Sequence, residues 1–256
     1  MALAGARSER HEPDHVQRLR VALADGRATT VHVARHDLAA TQLKVAVVRG
    51  QPLASWCAAH GVGEALVGGF FTRPACEPLG ELRTSGILRG SVPFDAPWSG
   101  VRACVHVCGP AVRIARRDEL PARPTGDLLQ AGPLLVRDGE AVYDRARDPE
   151  GFSAGAAQFD SDITAERHPR AALGLAGGTL LAVASEGRSG ADAGLTLEEL
   201  AGVLVGLGAH TALNLDGGGS TTLVAGGRLR NRPRAAVGVP EPGGRAVATA
   251  LVFQPA

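Results

Sequence analysis

Lysine is almost missing from this sequence. Lys44 is the only one, and arginine supplies the rest of the 27 basic residues that balance 26 acidic ones. A formal net charge of +1 provides neither the basic footprint of a nucleic-acid binder nor the attraction that holds a protein to an anionic membrane. Aromatics are scarce at 4%, so the core must be built mainly from Ala, Val and Leu. No apolar run approaches the ~18 residues that span a bilayer as a helix. The opening MALAGARSERHEPDH lacks the apolar h-region of a signal peptide. A cytoplasmic protein with neither nucleic acid nor membrane as partner is expected. Cysteine is limited to Cys57, Cys76, Cys104 and Cys108. On a strand, CVHVC would place Cys104, His106 and Cys108 on one face, but no second Cys/His pair has a matching spacing. Reduced structural thiols are expected, with no cofactor, and the sequence leaves a requirement for a divalent metal open.

What is present is a chain of 256 residues, 45% hydrophobic, with 34 glycines. That is enough to bury one sizeable core. TTVHVARHDL and QLKVAVVRG alternate like strands, PLASWCAAHG reads as a short helix closed by Gly61, and EALVGGFF is a strand running into glycines. From Arg170 the order returns: RAALGLA, GTLLAVASEG, the helical TLEELAGVLVGLG and the strand TALNLDGGGS. Thr196 and Glu199 have the spacing of a capping box, and Leu197, Leu200, Val203, Leu204 and Leu207 form an apolar stripe. Prolines 93, 97, 110, 121 and 124 keep the strands between the halves short. These patterns predict an α+β fold, a single domain of mixed, largely antiparallel sheets with few helices and two pseudo-repeated halves. Residues 1–28 are expected to be a tail and lead-in, 29–256 the domain, and GFSAGAAQFDSD a surface loop.

The densest chemistry lies in ALNLDGGGST, residues 212–221. A carboxylate at a strand's carboxyl end sits at the sheet rim, and glycines after it allow close approach to backbone N–H groups. Asp216 is therefore a candidate acid or base. Asn214, Gly217, Gly218, Gly219, Ser220 and Thr221 are candidate contacts to an anionic ligand. No lysine follows, so this is not a P-loop. A plain glycine turn capped by Asp216 would give the same letters.

ALNLDGGGSTTLV, followed by GGRLRNRP and GGRAVATALVF, resembles the C-terminal signature of the phosphodiester glycosidase family. ALVGGFF with PLGELRTSG, AGPLLVRDGE, RHPRAALGL and LLAVASEGRSG resemble further family segments, in family order from about Val31 to Phe253. The resemblance implies cleavage of a sugar-1-phosphodiester at its glycosidic bond, served by two carboxylates. It assigns Asp216 and Glu186 as catalytic, Glu186 standing where the family has Asp. It assigns Arg170 as a bidentate phosphate contact and Arg188 to the site or to Glu186, with Gly68 and Gly69 as substrate-binding glycines. Val67 stands where the family has asparagine, and Ala171 where it has threonine.

The expected partner is a small sugar-phosphate substrate. With Val67 and Ala171 in place, a different reaction on the same scaffold, or binding without catalysis, also fits the sequence. His168, His210 and His106 are expected to be structural or exposed, and Phe70 and Phe71 to belong to the core.

Overall fold

The computed structural model describes residues 13–152, 164 and 166–256. The first dozen residues and nearly all of GFSAGAAQFDSD lie outside the described residues. Every paired strand in it is antiparallel to its neighbour. The first half of the chain gives β1 (Val16–Ala22), β2 (Ala28–Asp37), β3 (Thr41–Pro52), the helix α1 (Leu53–His60) and β4 (Ala65–Val67). Next come β5 (Leu82–Thr84), β6 (Ile87–Leu88), β7 (Ala103–Cys108), β8 (Ala111–Arg116) and β9 (Asp127–Gln130). The centre and second half contribute β10 (Leu134–Arg137), β11 (Glu140–Ala141), β12 (Ala171–Ala176), β13 (Thr179–Ser185), α2 (Leu197–Gly206) and β14 (Thr211–Asn214). The chain closes with β15 (Leu223–Ala225), β16 (Arg228–Leu229), β17 (Arg234–Ala236), β18 (Val239–Pro240) and β19 (Ala246–Pro255). Together these are an α+β fold of antiparallel sheets with two α-helices among the described residues.

A seven-stranded sheet runs β1-β2-β13-β12-β14-β10-β11, and a five-stranded sheet runs β16-β15-β4-β19-β3. A second five-stranded sheet, β6-β5-β9-β7-β8, and the β17-β18 hairpin complete the fold. Period-two alternation decides what each face buries. Along β13, Leu180, Ala182 and Ala184 enter the main core cluster together with β4 and β19, while Leu181 and Val183 face the α2 cluster. Helix α2 starts with the expected capping box: Glu199 N–H donates to Thr196 Oγ1 at 3.1 Å, and Thr196 N–H to Glu199 Oε2 at 3.0 Å. Its Leu197, Leu200 and Leu204 are buried, and Val203 and Leu207 pack at the margin of the same cluster.

The repeated half is visible in the topology, with one exchange of parts. Strand, helix and strand run β13-α2-β14 in one sheet and β3-α1-β4 in the other. In each, a third strand sits antiparallel between the two: β12 in the seven-stranded sheet, β19 in the five-stranded one. Each unit then carries an outer hairpin, β10-β11 or β15-β16, turned through two consecutive positive-φ residues (Asp138-Gly139, Gly226-Gly227). Sequence order makes β2 the counterpart of β12. In space β19, from the far end of the chain, takes that place, and β2 pairs with β1 and β13. Residues 16–22, assigned by sequence to the lead-in, are β1 and pair along their whole length with β2.

The two glycine turns that follow β4 and β14 meet. Asp216 N–H donates to the Gly68 carbonyl at 3.0 Å. Gly68 and Gly69 are themselves pressed against their neighbours: a Cβ on Gly68 would lie 2.9 Å from the Thr249 carbonyl carbon, and one on Gly69 3.0 Å from the Gln130 oxygen. Gly68→Ala should therefore cost ~2 kcal/mol or more in urea unfolding, because backbone cannot yield as a flexible side chain does. Gly63→Ala, whose nearest neighbour would be 3.8 Å away, should unfold close to the parent. Equal midpoints for the two variants would contradict the close approach.

Candidate active site

Asp216 leaves the end of β14 and is buried, with 9% of its surface exposed. Its Oδ1 accepts the Gly217 N–H at 2.9 Å, and its Oδ2 is buried without a hydrogen-bond partner among the described residues. Burial pushes the carboxyl up to about 6, while hydrogen bonding from Ser220 and Gly217 and the charges of Arg245 and Arg73 pull it down. Arg245 and Arg73 bear no motif spacing to Asp216 and were not singled out by sequence. Arg245 reaches the turn because its N–H donates to the Gly219 carbonyl at 3.1 Å. It also pairs with Glu241, with Nη2 3.7 Å from Oε2. A Cβ on Gly219 would stand 2.6 Å from Glu241 Oε2 and 2.9 Å from Arg245 Nη2. A side chain at 219 would therefore fill the space between carboxylate, guanidinium and turn. Cys76 belongs to the same neighbourhood, since the Asp216 charge adds to burial in raising its thiol.

The glycine turn offers fewer free donors than its sequence suggests. Gly217 N–H is used by Asp216, and Gly218 N–H donates to the Pro169 carbonyl at 2.8 Å. Gly218 has φ 60 and lies against the Arg188 guanidinium, so it is the position that most requires glycine. Arg188 donates to the carbonyls of Arg234 (3.2 Å) and Ala235 (2.6 Å), and its Nη2 lies 3.3 Å from His168 Nδ1. Arg188 and His168 line a cleft of about 630 Å³. Ser220 and Thr221 are both buried, with 1% and 0% exposed.

The other residues chosen from the sequence are tied to structural partners, Gly68 and Arg170 beside the Asp216 turn and Glu186 in a different cleft. Glu186, placed beside Asp216 as a catalytic pair, instead accepts the Arg232 N–H (2.9 Å) and sits 3.1 Å from His32 Nε2. It lines a separate cleft of about 530 Å³ with Arg18, Arg228, Arg230 and Arg232. The cause is pleating: Glu186 falls in step with Ala182 and Ala184, on the main-core face of β13. Arg170 is buried and donates to the carbonyls of Leu195 (2.9 Å) and Glu166 (2.8 Å), contacts that hold loops. Asn214 clamps the Gly132 turn, its Nδ2 donating to Gly132 O at 3.0 Å. Gly68 and Gly69 N–H groups serve Thr249 O and Oγ1. Val67 and Ala171 are both fully buried in the main core cluster.

The histidines and cysteines follow expectation more closely. His168 is buried and bridged to Leu195, His210 is exposed, and His106 Nε2 lies 2.7 Å from the Thr125 carbonyl oxygen. All four cysteines are free thiols. Phe70 joins a small aromatic core with Phe94 and Phe152, while Phe71 packs at the edge of the main one.

A third buried carboxylate, Glu150, has no counterpart among the sequence candidates, since a lone Glu in DPEGF carries no signal of its own. Its two oxygens accept the N–H groups of Leu134 and Ala103, each at 2.7 Å. Burial pushes it up to about 7 despite those bonds. Arg102, stacked between the rings of Phe94 (4.2 Å) and Phe152 (4.1 Å), donates to its main-chain carbonyl. With both oxygens tied to backbone, Glu150 is a structural clamp.

The raised pKa of Asp216 has a definite sign for stability. A carboxyl lifted from 3.8 to about 6 gives stability that is full below the lower value and is lost as pH rises through the upper one. Two units correspond to at most about 3 kcal/mol. Asp216→Asn should therefore melt higher than the parent at pH 8, with the gap closing toward pH 4. A lower melting temperature at pH 8 would mark the carboxylate as a stabilising turn cap.

Comparison with known proteins brings this geometry into a wider set. A family model described as phosphodiester glycosidase matches residues 60–254. The catalytic domain of zebrafish N-acetylglucosamine-1-phosphodiester α-N-acetylglucosaminidase, auto-inhibited by its pro-peptide, shares the fold at TM-score 0.70 and 20% identity, over 93% of this chain and 82% of that one. A hypothetical protein from Synechocystis is similar at TM-score 0.63 and 20% identity, over 93% of this chain, which spans 61% of the Synechocystis chain. A putative exported protein from Burkholderia pseudomallei gives TM-score 0.67 and 19% identity, over 90% and 74% of the two chains. No curated protein matches the sequence.

Proposed function

The chain belongs to the phosphodiester glycosidase family, and from that premise we propose that it hydrolyses the glycosidic bond of a small sugar-1-phosphodiester, with Asp216 as general base. The observation that carries this reading is a buried carboxylate with one unpartnered oxygen, set between a glycine turn and the charges of Arg245 and Arg73. A base poised near neutrality is the form that proton transfer needs. Water gives a proton to Asp216 as its oxygen bonds to the anomeric carbon. The bond from that carbon to the phosphate oxygen breaks, and the electron pair leaves with the phosphate monoester.

Arg245 and Arg73 supply positive charge toward the phosphate, with the Gly219 N–H as a neutral donor. In a buried site such charges do more than they do in water. Glu241, paired with Arg245 beside Gly219, is the second carboxylate of this arrangement, in place of Glu186. The main argument for a different reaction, the lost polar groups at 67 and 171, weakens with both side chains buried in the core.

As a base, Asp216 must be ionised, so kcat/KM should climb about tenfold per pH unit below about 6 and level off above. Asp216→Asn should lower turnover about a hundredfold or more while the fold persists. Arg245→Lys keeps the charge but loses the planar fork, so KM should rise. A rate that instead falls as pH rises through the same range would make Asp216 an acid. Turnover near normal in Asp216→Asn would remove it from the chemistry.

A further inference from the structure

Three side chains far apart in sequence, His15, His36 and Glu64, bring their ligand atoms within 4.8 Å of one another. His15 Nε2 lies 3.2 Å from Glu64 Oε2, and His36 Nε2 lies 3.9 Å from the same oxygen. We propose that this cluster is a binding site for a divalent transition metal of the zinc class, held by two imidazoles and one carboxylate with water completing the shell.

The donor set is right for such an ion, since imidazole and carboxylate together suit zinc and not calcium or magnesium. Bonds of 2.0–2.1 Å in a tetrahedron separate ligand atoms by ~3.3 Å, and the two distances to Glu64 bracket that value. The His36–Glu64 gap of 3.9 Å must close by a few tenths of an ångström, a small turn of the partly exposed Glu64 carboxylate, and the His15 side chain, 35% exposed, can rotate to follow. Glu64 and His36 are otherwise held in place. Glu64 Oε1 accepts the Gly226 N–H at 2.6 Å, which turns Oε2 toward the imidazoles. The His36 ring is stacked on Phe253, centroids 4.2 Å apart and planes 14° from parallel. Such outer contacts fix ligand orientation in metal sites.

The site's position argues for a structural tie. His15 and His36 belong to the start and end of the β1-β2 pair in the seven-stranded sheet, and Glu64 directly precedes β4 in the five-stranded one. An ion there would link the two large sheets. Gly68 and the Asp216 contact follow β4, so the metal would sit at the other end of that strand from the candidate base. His15 and His36 also lie before residue 60, outside the family match. Positions 15, 36 and 64 have no metal-motif spacing.

The test uses untagged protein stripped with chelator, then titrated with zinc chloride by calorimetry and with cobalt chloride by visible absorption. The expected result is one equivalent bound, cobalt bands of tetrahedral intensity and a melting temperature raised by zinc. His15→Ala and Glu64→Gln, checked for folding by circular dichroism, should each weaken zinc binding about tenfold or more. Cys108→Ser, at an exposed thiol, should bind as the parent does. No binding by the parent, undiminished binding in His15→Ala, or loss of binding in Cys108→Ser would each overturn the site.

Discussion

The hydrogen bond from Asp216 N–H to the Gly68 carbonyl, at 3.0 Å, is the constraint on which the rest of the site depends. It joins the ends of β4 and β14, matching strands of the two repeated units. For the turns to meet, neither can carry bulk at the crossing. Gly68 and Gly69 therefore lie against Thr249 and Gln130, and Gly217 against Pro169. The same closeness buries Asp216, and burial is the first cause of its raised pKa. Backbone packing thus produces the electrostatics: a carboxyl at a strand end is ordinary, whereas one enclosed between two glycine turns is poised near neutrality.

Charge around that carboxyl is arranged by residues distant in sequence. Arg245 is anchored through its own backbone to Gly219 and shared with Glu241. Its guanidinium faces both the turn and a second acid, which under the proposed reading would let it meet a phosphate without first reorganising. A chain with a single lysine builds such contacts from arginine, whose planar fork suits phosphate geometry. Glu150 shows the contrast. It is also buried and raised, to about 7, yet both its oxygens are used by backbone N–H groups. A raised pKa alone does not separate the two; the unpartnered oxygen of Asp216 does.

Local features of the fold were legible in the sequence. The capping box at Thr196, the closing Gly61 and the alternation in β12 and β13 are all written within a few residues of the element they define. The glycine turns were legible as close approaches, although the approaching partner is the protein's own backbone as much as a ligand. Features set by distant pairing were not legible. The insertion of β19 between β3 and β4 has no local signature, so β2 looked like the missing repeat strand. Glu186 and Arg170 were placed by likeness of short turns, but pleating and nearby carbonyls decide where they point. Arg245 and Glu241 meet Gly219, and the charge of Arg73 reaches Asp216, only through tertiary contacts.

The central claim is cleavage at the anomeric carbon of a phosphodiester, and an isotope experiment addresses the bond itself. Turnover of a panel of hexose 1-(alkyl phosphate) diesters in ¹⁸O-water, followed by mass spectrometry of both products, shows which atom water attacks. The account predicts the label in the free sugar, with the phosphate monoester unlabelled. Label in the phosphate, or no label in any product of turnover, would contradict it.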